Sequence, residues 1–261
     1  MTPRVSVVIP VYNGAGTIGQ AVDSILGQSL RELELVVVDD GSTDATPDVL
    51  AEIRDPRLRV LRQANGGRSR ARNAAIRAAR APYVAMLDAD DVAYPERLAR
   101  QAAFLDGRPD VALCGTWAYR IEPDGSRHEW RQPVAADAIR RAMLRSNCFI
   151  HSTIMARKRV LEEFGGYDES LDFSEDYDLF LRIAARYATA NLPETLGAYQ
   201  APSGARYRLK EQWHKTRVKW RAIRDYGYPR RQILCLATPL LTTFVPARLR
   251  LAFQRARIGR P

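Results

Sequence analysis

Tyr83-Val84-Ala85-Met86-Leu87-Asp88-Ala89-Asp90-Asp91 is a short apolar run, entered from Pro82 and stopped abruptly by acids. Such a run reads as a buried strand delivering its charges at its C-terminal end. In an open α/β sheet that end is where ligands bind. Three carboxylates within four residues repel one another and resist desolvation, so they call for water, arginines or a hard cation such as Mg²⁺ or Mn²⁺. An Asp-X-Asp at a strand end suits a cation that carries a diphosphate.

The stretches on either side repeat the theme. Val5 to Pro10 is a β-branched strand running into Val11, Tyr12, Asn13 and Gly14. Ile18, Ala21, Val22, Ile25 and Leu26 then recur at helical spacing. Leu33 to Val38 is a second buried strand ending in Asp39-Asp40-Gly41-Ser42-Thr43-Asp44, a cluster able to cap the helix that starts near Thr46 and Pro47. A third strand at Leu58 to Gln63 leads through Asn65-Gly66-Gly67 into a helix whose flat face is Ala71, Ala74, Ala75 and Ala78. Strand alternating with helix four times predicts a mainly parallel, three-layer α/β/α sheet with right-handed crossovers. Both acid clusters then lie on one rim, where Asp40 and Tyr12 offer an acceptor and a stacking ring for a pyrimidine nucleoside.

With 261 residues, 46% of them apolar, the chain buries a full core. Cys114, Cys148 and Cys235 are far apart and odd in number, which supports neither a disulfide framework nor a zinc site. Strand-like sequence begins at Val5 without a basic, apolar leader, so a cytoplasmic location is expected. Charge is uneven: residues 201–261 hold 15 Lys and Arg against Glu211 and Asp225, a net +13, while residues 1–200 are net −3.

Four motifs now stand in order: Val7-Val8-Ile9-Pro10-Val11-Tyr12-Asn13; Val38-Asp39-Asp40-Gly41-Ser42-Thr43-Asp44; Asn65-Gly66-Gly67 with Ala71-Arg72-Asn73; and Leu87-Asp88-Ala89-Asp90-Asp91. Together they closely resemble the inverting family-2 glycosyltransferases of GT-A fold, of the kind that build bacterial cell-surface polysaccharides. The resemblance continues through Gly165-Gly166-Tyr167-Asp168 and Ser174-Glu175-Asp176-Tyr177-Asp178-Leu179 to about residue 192.

The resemblance implies a nucleotide-diphosphate sugar donor, UDP-linked, and a glycan or polyprenyl-diphosphate-linked acceptor. Pro10, Tyr12, Asn13 and Asp40 would hold the uridine, Arg68 or Arg72 would lie near the phosphates, and Asp88, Ala89 and Asp90 would meet the nucleotide. Asp88 and Asp90 would bind Mn²⁺ or Mg²⁺, Asp90 most directly, and Asp176 would be the base, with Glu175 second. Relatives often carry Tyr-Arg and then a His here, whereas Tyr199 is followed by Gln200, Ala201 and Pro202.

Plainer readings stand beside these. Asp44 reads as a turn or cap residue. Arg72 shares its helix with Arg68, Arg70, Arg77 and Arg80, which makes a solvated face an alternative to a phosphate contact. Glu175 and Asp176 at a helix start also suit the macrodipole. His151 falls on an expected strand, as a core histidine or an acceptor contact. Trp117, Trp130 and Tyr119 are either sugar-stacking or core aromatics.

The expected division is a catalytic domain over 1–200, with a nucleotide-binding half at 1–110 and an acceptor half at 111–200, followed by a basic helical tail over 201–261. Trp213, Trp220, Tyr226 and Tyr228 are interleaved with lysines and arginines, Ile233 to Val245 is largely apolar but short, and Leu249, Ala252, Phe253 and Ala256 share a helical face. This predicts peripheral attachment to the anionic inner face of the plasma membrane; the alternative is that the tail packs on the domain or forms an oligomer contact. Two other classes are less well served. A sugar nucleotidyltransferase presents a basic, glycine-rich loop after its first strand, and Pro10 to Gly14 has no lysine or arginine. A nucleic-acid-binding module explains the tail but not the acid clusters, so no nucleic-acid partner is expected.

Overall fold

The computed structural model describes residues 2–201 and 209–237. The chain runs β1 (Val5–Val11), α1 (Ile18–Leu26), β2 (Leu33–Asp39), α2 (Thr46–Glu52), β3 (Leu58–Arg62), α3 (Arg68–Ala78) and β4 (Tyr83–Met86). It continues through β5 (Val92–Ala93), α4 (Arg97–Gly107), β6 (Val111–Ile121), β7 (Arg127–Trp130), α5 (Ala136–Ala142), β8 (Met155–Arg157), α6 (Lys158–Glu163), α7 (Glu175–Arg186), β9 (Ala188–Gln200) and α8 (Leu209–Asp225).

One sheet carries the fold, in the order β3-β2-β1-β4-β8-β6-β9-β5, with β7 hydrogen-bonded to β6. The first four strands are parallel, as their unbroken apolar sequence requires, because strands covered on both faces need no polar alternation. In β1, Val5, Val7 and Ile9 pack toward α1, α2 and α4, while Val8 packs toward α3 and α5–α8. β8 turns antiparallel to β4, and β9 lies parallel to β6. Strand order reverses between β2-β1 and β1-β4, the switch point at which two diverging loops leave an open crevice.

Two expectations change. Residues 151–153 form a 3-10 turn beside β4 rather than a strand, which carries His151 to the rim of the sheet. Packing also does not stop at residue 200: Val218, Ala222, Ile223 and Tyr228 are buried in the same core as α7. The apolar stretch through Val245 enters the described residues only at 233–237, and the helical face at 249–256 lies outside them. Among the described residues no helix is long and apolar enough to cross a membrane.

Candidate active site

The crevice, about 1370 Å³, opens at the C-terminal ends of β1 and β4. Its first wall is the β1–α1 loop, clamped to the β2–α2 loop. Asn13 sits at φ 53°, a left-handed conformation that asparagine tolerates better than other side-chain-bearing residues. Its Oδ1 accepts from the Thr43 amide at 2.8 Å, and its own amide donates to Ser42 Oγ at 2.9 Å. Asp44 accepts from the Thr46 amide at 3.0 Å, the turn role its position suggested. Held between these contacts, Tyr12 stands 52% exposed at the rim, an aromatic face open to a flat ligand.

Asp40 lines the same wall but is only 3% exposed. Its Oδ1 accepts from Gln63 Nε2 at 2.7 Å and the Gly66 amide at 3.0 Å, and its Oδ2 from the Gly67 amide at 2.8 Å. A carboxylate has about four acceptor sites, so Asp40 shapes the Asn65-Gly66-Gly67 turn and keeps about one lone pair for a ligand. Gly67, at φ 87° and ψ 161°, adopts a conformation essentially closed to other residues.

Arg72 is the centre of the floor. Its Nη2 donates to Asp88 Oδ1 and its Nη1 to Glu175 Oε1, each at 2.7 Å, and the guanidinium lies 5.5 Å from the Tyr167 ring. The other Asp88 oxygen faces His151 Nδ1 at 3.4 Å, and His151 Nε2 is 2.9 Å from the Tyr167 hydroxyl. Burial alone would raise the Asp88 carboxyl, but Arg72 and then His151 hold it well below the usual carboxylate range. Arg72 therefore belongs to a buried carboxylate bridge and is no solvated face. Arg68 is 56% exposed at the mouth, its Nε 3.7 Å from Glu175 Oε1.

Asn73 explains the next residue of the motif. Its Nδ2 donates to the Tyr167 carbonyl and its Oδ1 accepts from the Tyr167 amide, both at 2.9 Å, as a neighbouring strand would. A Cβ on Gly166 would come within 2.3 Å of that Oδ1, and Gly166 has φ 71°. The Gly165-Gly166-Tyr167 segment is thus docked on α3 so that Tyr167 braces His151.

The three acids after β4 divide. Asp91 turns inward, accepting from Ser152 Oγ and from the Gln200 amide at 2.8 Å; burial, then the charge of Asp88, push it up to about 8. Arg97, fully buried, donates to the Met86 and Ser152 carbonyls and pins the 151–153 turn to the end of β4. Asp90 faces the crevice with no cationic partner among the described residues, and burial followed by Asp88 raises its carboxyl. Exposed to the crevice beside Asp88, Asp90 is placed to share a divalent cation with it. No cluster of three or more His, Cys, Asp and Glu forms a self-sufficient cage among the described residues, in keeping with ions that take one or two carboxylates and complete their shell with phosphate and water.

At the far end, Ser174 takes φ 63°, strained for a serine, and so turns the chain abruptly into α7. Glu175, 3% exposed, points into the Arg72 bridge, its Oε1 accepting from Arg72 Nη1. Asp176 lines the crevice, with Oδ2 accepting from Asn147 Nδ2 at 3.0 Å. Trp117 does not line it: its indole N–H donates to the Gln132 carbonyl at 2.9 Å and Arg131 lies over its ring. Trp130, Gln132 and Phe149 occupy that wall instead, and Tyr199, Gln200 and Ala201 close the rim. Asn73, Asn147, Ser152, Tyr167 and Arg97 escaped the sequence reading as working parts. For Asn73 and Tyr167 the signal was their place inside recognised motifs; the other three had none.

A switch-point crevice bearing an exposed aromatic, a strand-end Asp-X-Asp and a carboxylate at a helix start is the architecture of a GT-A glycosyltransferase. The family model for glycosyl transferase family 2 matches residues 6–165, and the chain belongs to that family. Glycosyltransferase MJ1057 of Methanocaldococcus jannaschii is 30% identical over 80% of this chain and 76% of its own. S. aureus TarS, solved with UDP-GlcNAc, superposes with a TM-score of 0.74 at 23% identity over 92% of this chain and 72% of TarS. The mannosyltransferase PcManGT of Pyrobaculum calidifontis, solved with GDP-Man and Mn²⁺, gives 0.67 at 22% identity over 98% and 80%.

Proposed function

We propose that this glycosyltransferase moves a hexosyl or N-acetylhexosaminyl group, with inversion, from a UDP-sugar to a hydroxyl of a glycan or polyprenyl-diphosphate-linked acceptor in cell-surface polysaccharide synthesis. The observation that carries this is that one crevice is lined by Tyr12, Asp90 and Asp176 together. The sugar nucleotides bound by proteins of the same fold support the donor class.

The Tyr12 ring stacks on the base, framed by Pro10 and Asn13, and Arg68 faces the phosphates from the mouth. A divalent cation bound at Asp90 and Asp88 would offset the negative charge that develops on the departing diphosphate. Arg72 and His151 keep Asp88 ionised and fixed for that task. Asp176, oriented by Asn147, takes the proton of the acceptor hydroxyl as its oxygen bonds to the anomeric carbon. The bond from that carbon to the diphosphate oxygen breaks on the opposite face, so configuration inverts. General-base catalysis of this kind contributes about 10²–10⁴-fold.

The net +13 of residues 201–261 supports work at an anionic membrane surface, where a lipid-linked acceptor resides. A panel of UDP-glucose, UDP-galactose, UDP-N-acetylhexosamines and GDP-mannose, read by thermal shift and then by nucleotide release, tests the donor assignment. Asp176→Asn is expected to lose transfer by about 10²–10⁴-fold with donor affinity unchanged; full turnover in that variant overturns the base assignment.

A further inference from the structure

Helix α8 presents a face that the crevice does not use. Lys210, Trp213, Arg217, Trp220 and Arg224 recur at intervals of three and four, which aligns them in one stripe, while Val218, Ala222 and Ile223 turn into the core. Trp213 is 61% exposed and Trp220 43%. The 3-10 turn at Arg230–Leu236 packs along the flank of this stripe, Thr216 Oγ1 donating to the Leu236 carbonyl and Lys219 Nζ to that of Cys235. There Ile233 and Leu234 stand exposed, so four of the seven large hydrophobic side chains exposed among the described residues fall between 213 and 234.

Indole rings with a polar N–H suit the bilayer interface, and arginines suit anionic headgroups. Residues 209–237 carry eight Lys and Arg against Glu211 and Asp225. Like charge opposes a second copy of the same face, whereas an anionic bilayer complements it. We infer that the Trp213–Arg217–Trp220–Arg224 stripe is the face by which α8 lies on an anionic lipid surface. This rests on the membrane reading above and gives it a docking face. The Lys210–Asp172 ion pair at 2.6 Å and the Phe173–His214 ring contact at 5.8 Å set the N-terminal end of α8 beside the residues leading into Ser174 and Asp176. Docking therefore sets Asp172 and Phe173, which lead into Ser174 and Asp176, beside the lipid-bound helix.

The full chain is sedimented with phosphatidylcholine vesicles, with and without phosphatidylglycerol. The unaltered protein is expected to bind only the anionic vesicles, with a blue shift of tryptophan emission. Trp213→Ser with Trp220→Ser is expected to weaken binding by about tenfold or more and abolish the shift. Arg217→Gln is expected to weaken it about fivefold, the factor for one surface cation at about 1 kcal/mol. Neither change touches the crevice, so donor binding stays as it was. Undiminished lipid binding by the double tryptophan variant overturns the stripe and leaves the membrane reading standing. No binding by the unaltered chain overturns both. A concentration-dependent dimer abolished by the same substitutions, without vesicle binding, assigns the face to a second copy and also overturns the inference.

Discussion

Replacing Arg72 by methionine tests the floor of the site. The substitution keeps most of the side-chain length and apolar stem but leaves Asp88 and Glu175 without their shared cation. Both the Arg72 and Glu175 side chains are almost wholly buried, at 6% and 4% exposure, so water cannot replace the contact. Breaking a buried pair by removing one partner costs about 3–5 kcal/mol. Arg68, 3.7 Å from Glu175 Oε1, is free to swing inward, which places the expected loss near the lower end, about 3 kcal/mol. That corresponds to a fall of about 6–12 °C in Tm for a chain of this size. The sign of the pH dependence follows from Asp88. In the unaltered protein its depressed pKa contributes stability above its unfolded value, and that contribution is lost only as pH falls through the lower, folded value. Without Arg72 the larger of the two charges that lower the Asp88 carboxyl is gone, so its folded pKa rises and the stabilisation present above the unfolded value shrinks. The deficit of Arg72→Met, measured by urea unfolding at one acidic and one neutral pH, is therefore expected to be the larger at neutral pH. Adding Glu175→Gln is expected to recover part of the loss, since it removes one stranded charge. An Arg72→Met protein as stable as the parent at both pH values, with donor binding and turnover intact, refutes the bridge.

Other expectations follow from the same geometry. Asp91 has a folded pKa of about 8 against an unfolded value near 3.9, so folding takes up a proton in that interval and stability declines as pH rises through it. Asp91→Asn, in EDTA, is expected to flatten that decline; identical pH profiles by urea unfolding would count against the buried, protonated acid. Gly166→Ala meets both a φ of 71° and the Asn73 carboxamide, and is expected to cost about 1–3 kcal/mol, read as a lower Tm and a weaker donor-dependent shift. Trp130→Ala is expected to raise the KM for acceptor with donor binding unchanged, whereas Trp117→Ala, outside the crevice, is expected to act on stability; the reverse pattern would reassign that wall.

The nucleotide half was legible because its physics is local. Strands buried on both faces must be runs such as Val5–Val11 and Leu33–Asp39, and the acids that end them announce the ligand edge. The second half was less so. β9 contains Pro193 and Glu194 and pairs with β6 through register shifts, so it carries neither an apolar run nor a clean alternation. β5 and β8 span two and three residues, too short for any period to show. Phe149-Ile150-His151-Ser152-Thr153 looked strand-like, yet Arg97 and Ser152 bend its last three residues into a turn through contacts 55 and 61 positions apart in sequence. Arg72 could not be told from its arginine neighbours because its partner Glu175 lies 103 residues away. Nor does spacing separate Asp90 from Asp91; past the turn closed by the Asp91 amide on the Asp88 carbonyl, Asp90 is left exposed while Asp91 is buried against the Gln200 amide.

The most direct measurement is a crystal structure of the protein grown with UDP and Mn²⁺. A cation against Asp90 and Asp88, the uracil on the Tyr12 ring and the diphosphate within reach of Arg68 are the expected result. Nucleotide bound elsewhere, or a crevice left empty at saturating ligand, would contradict it.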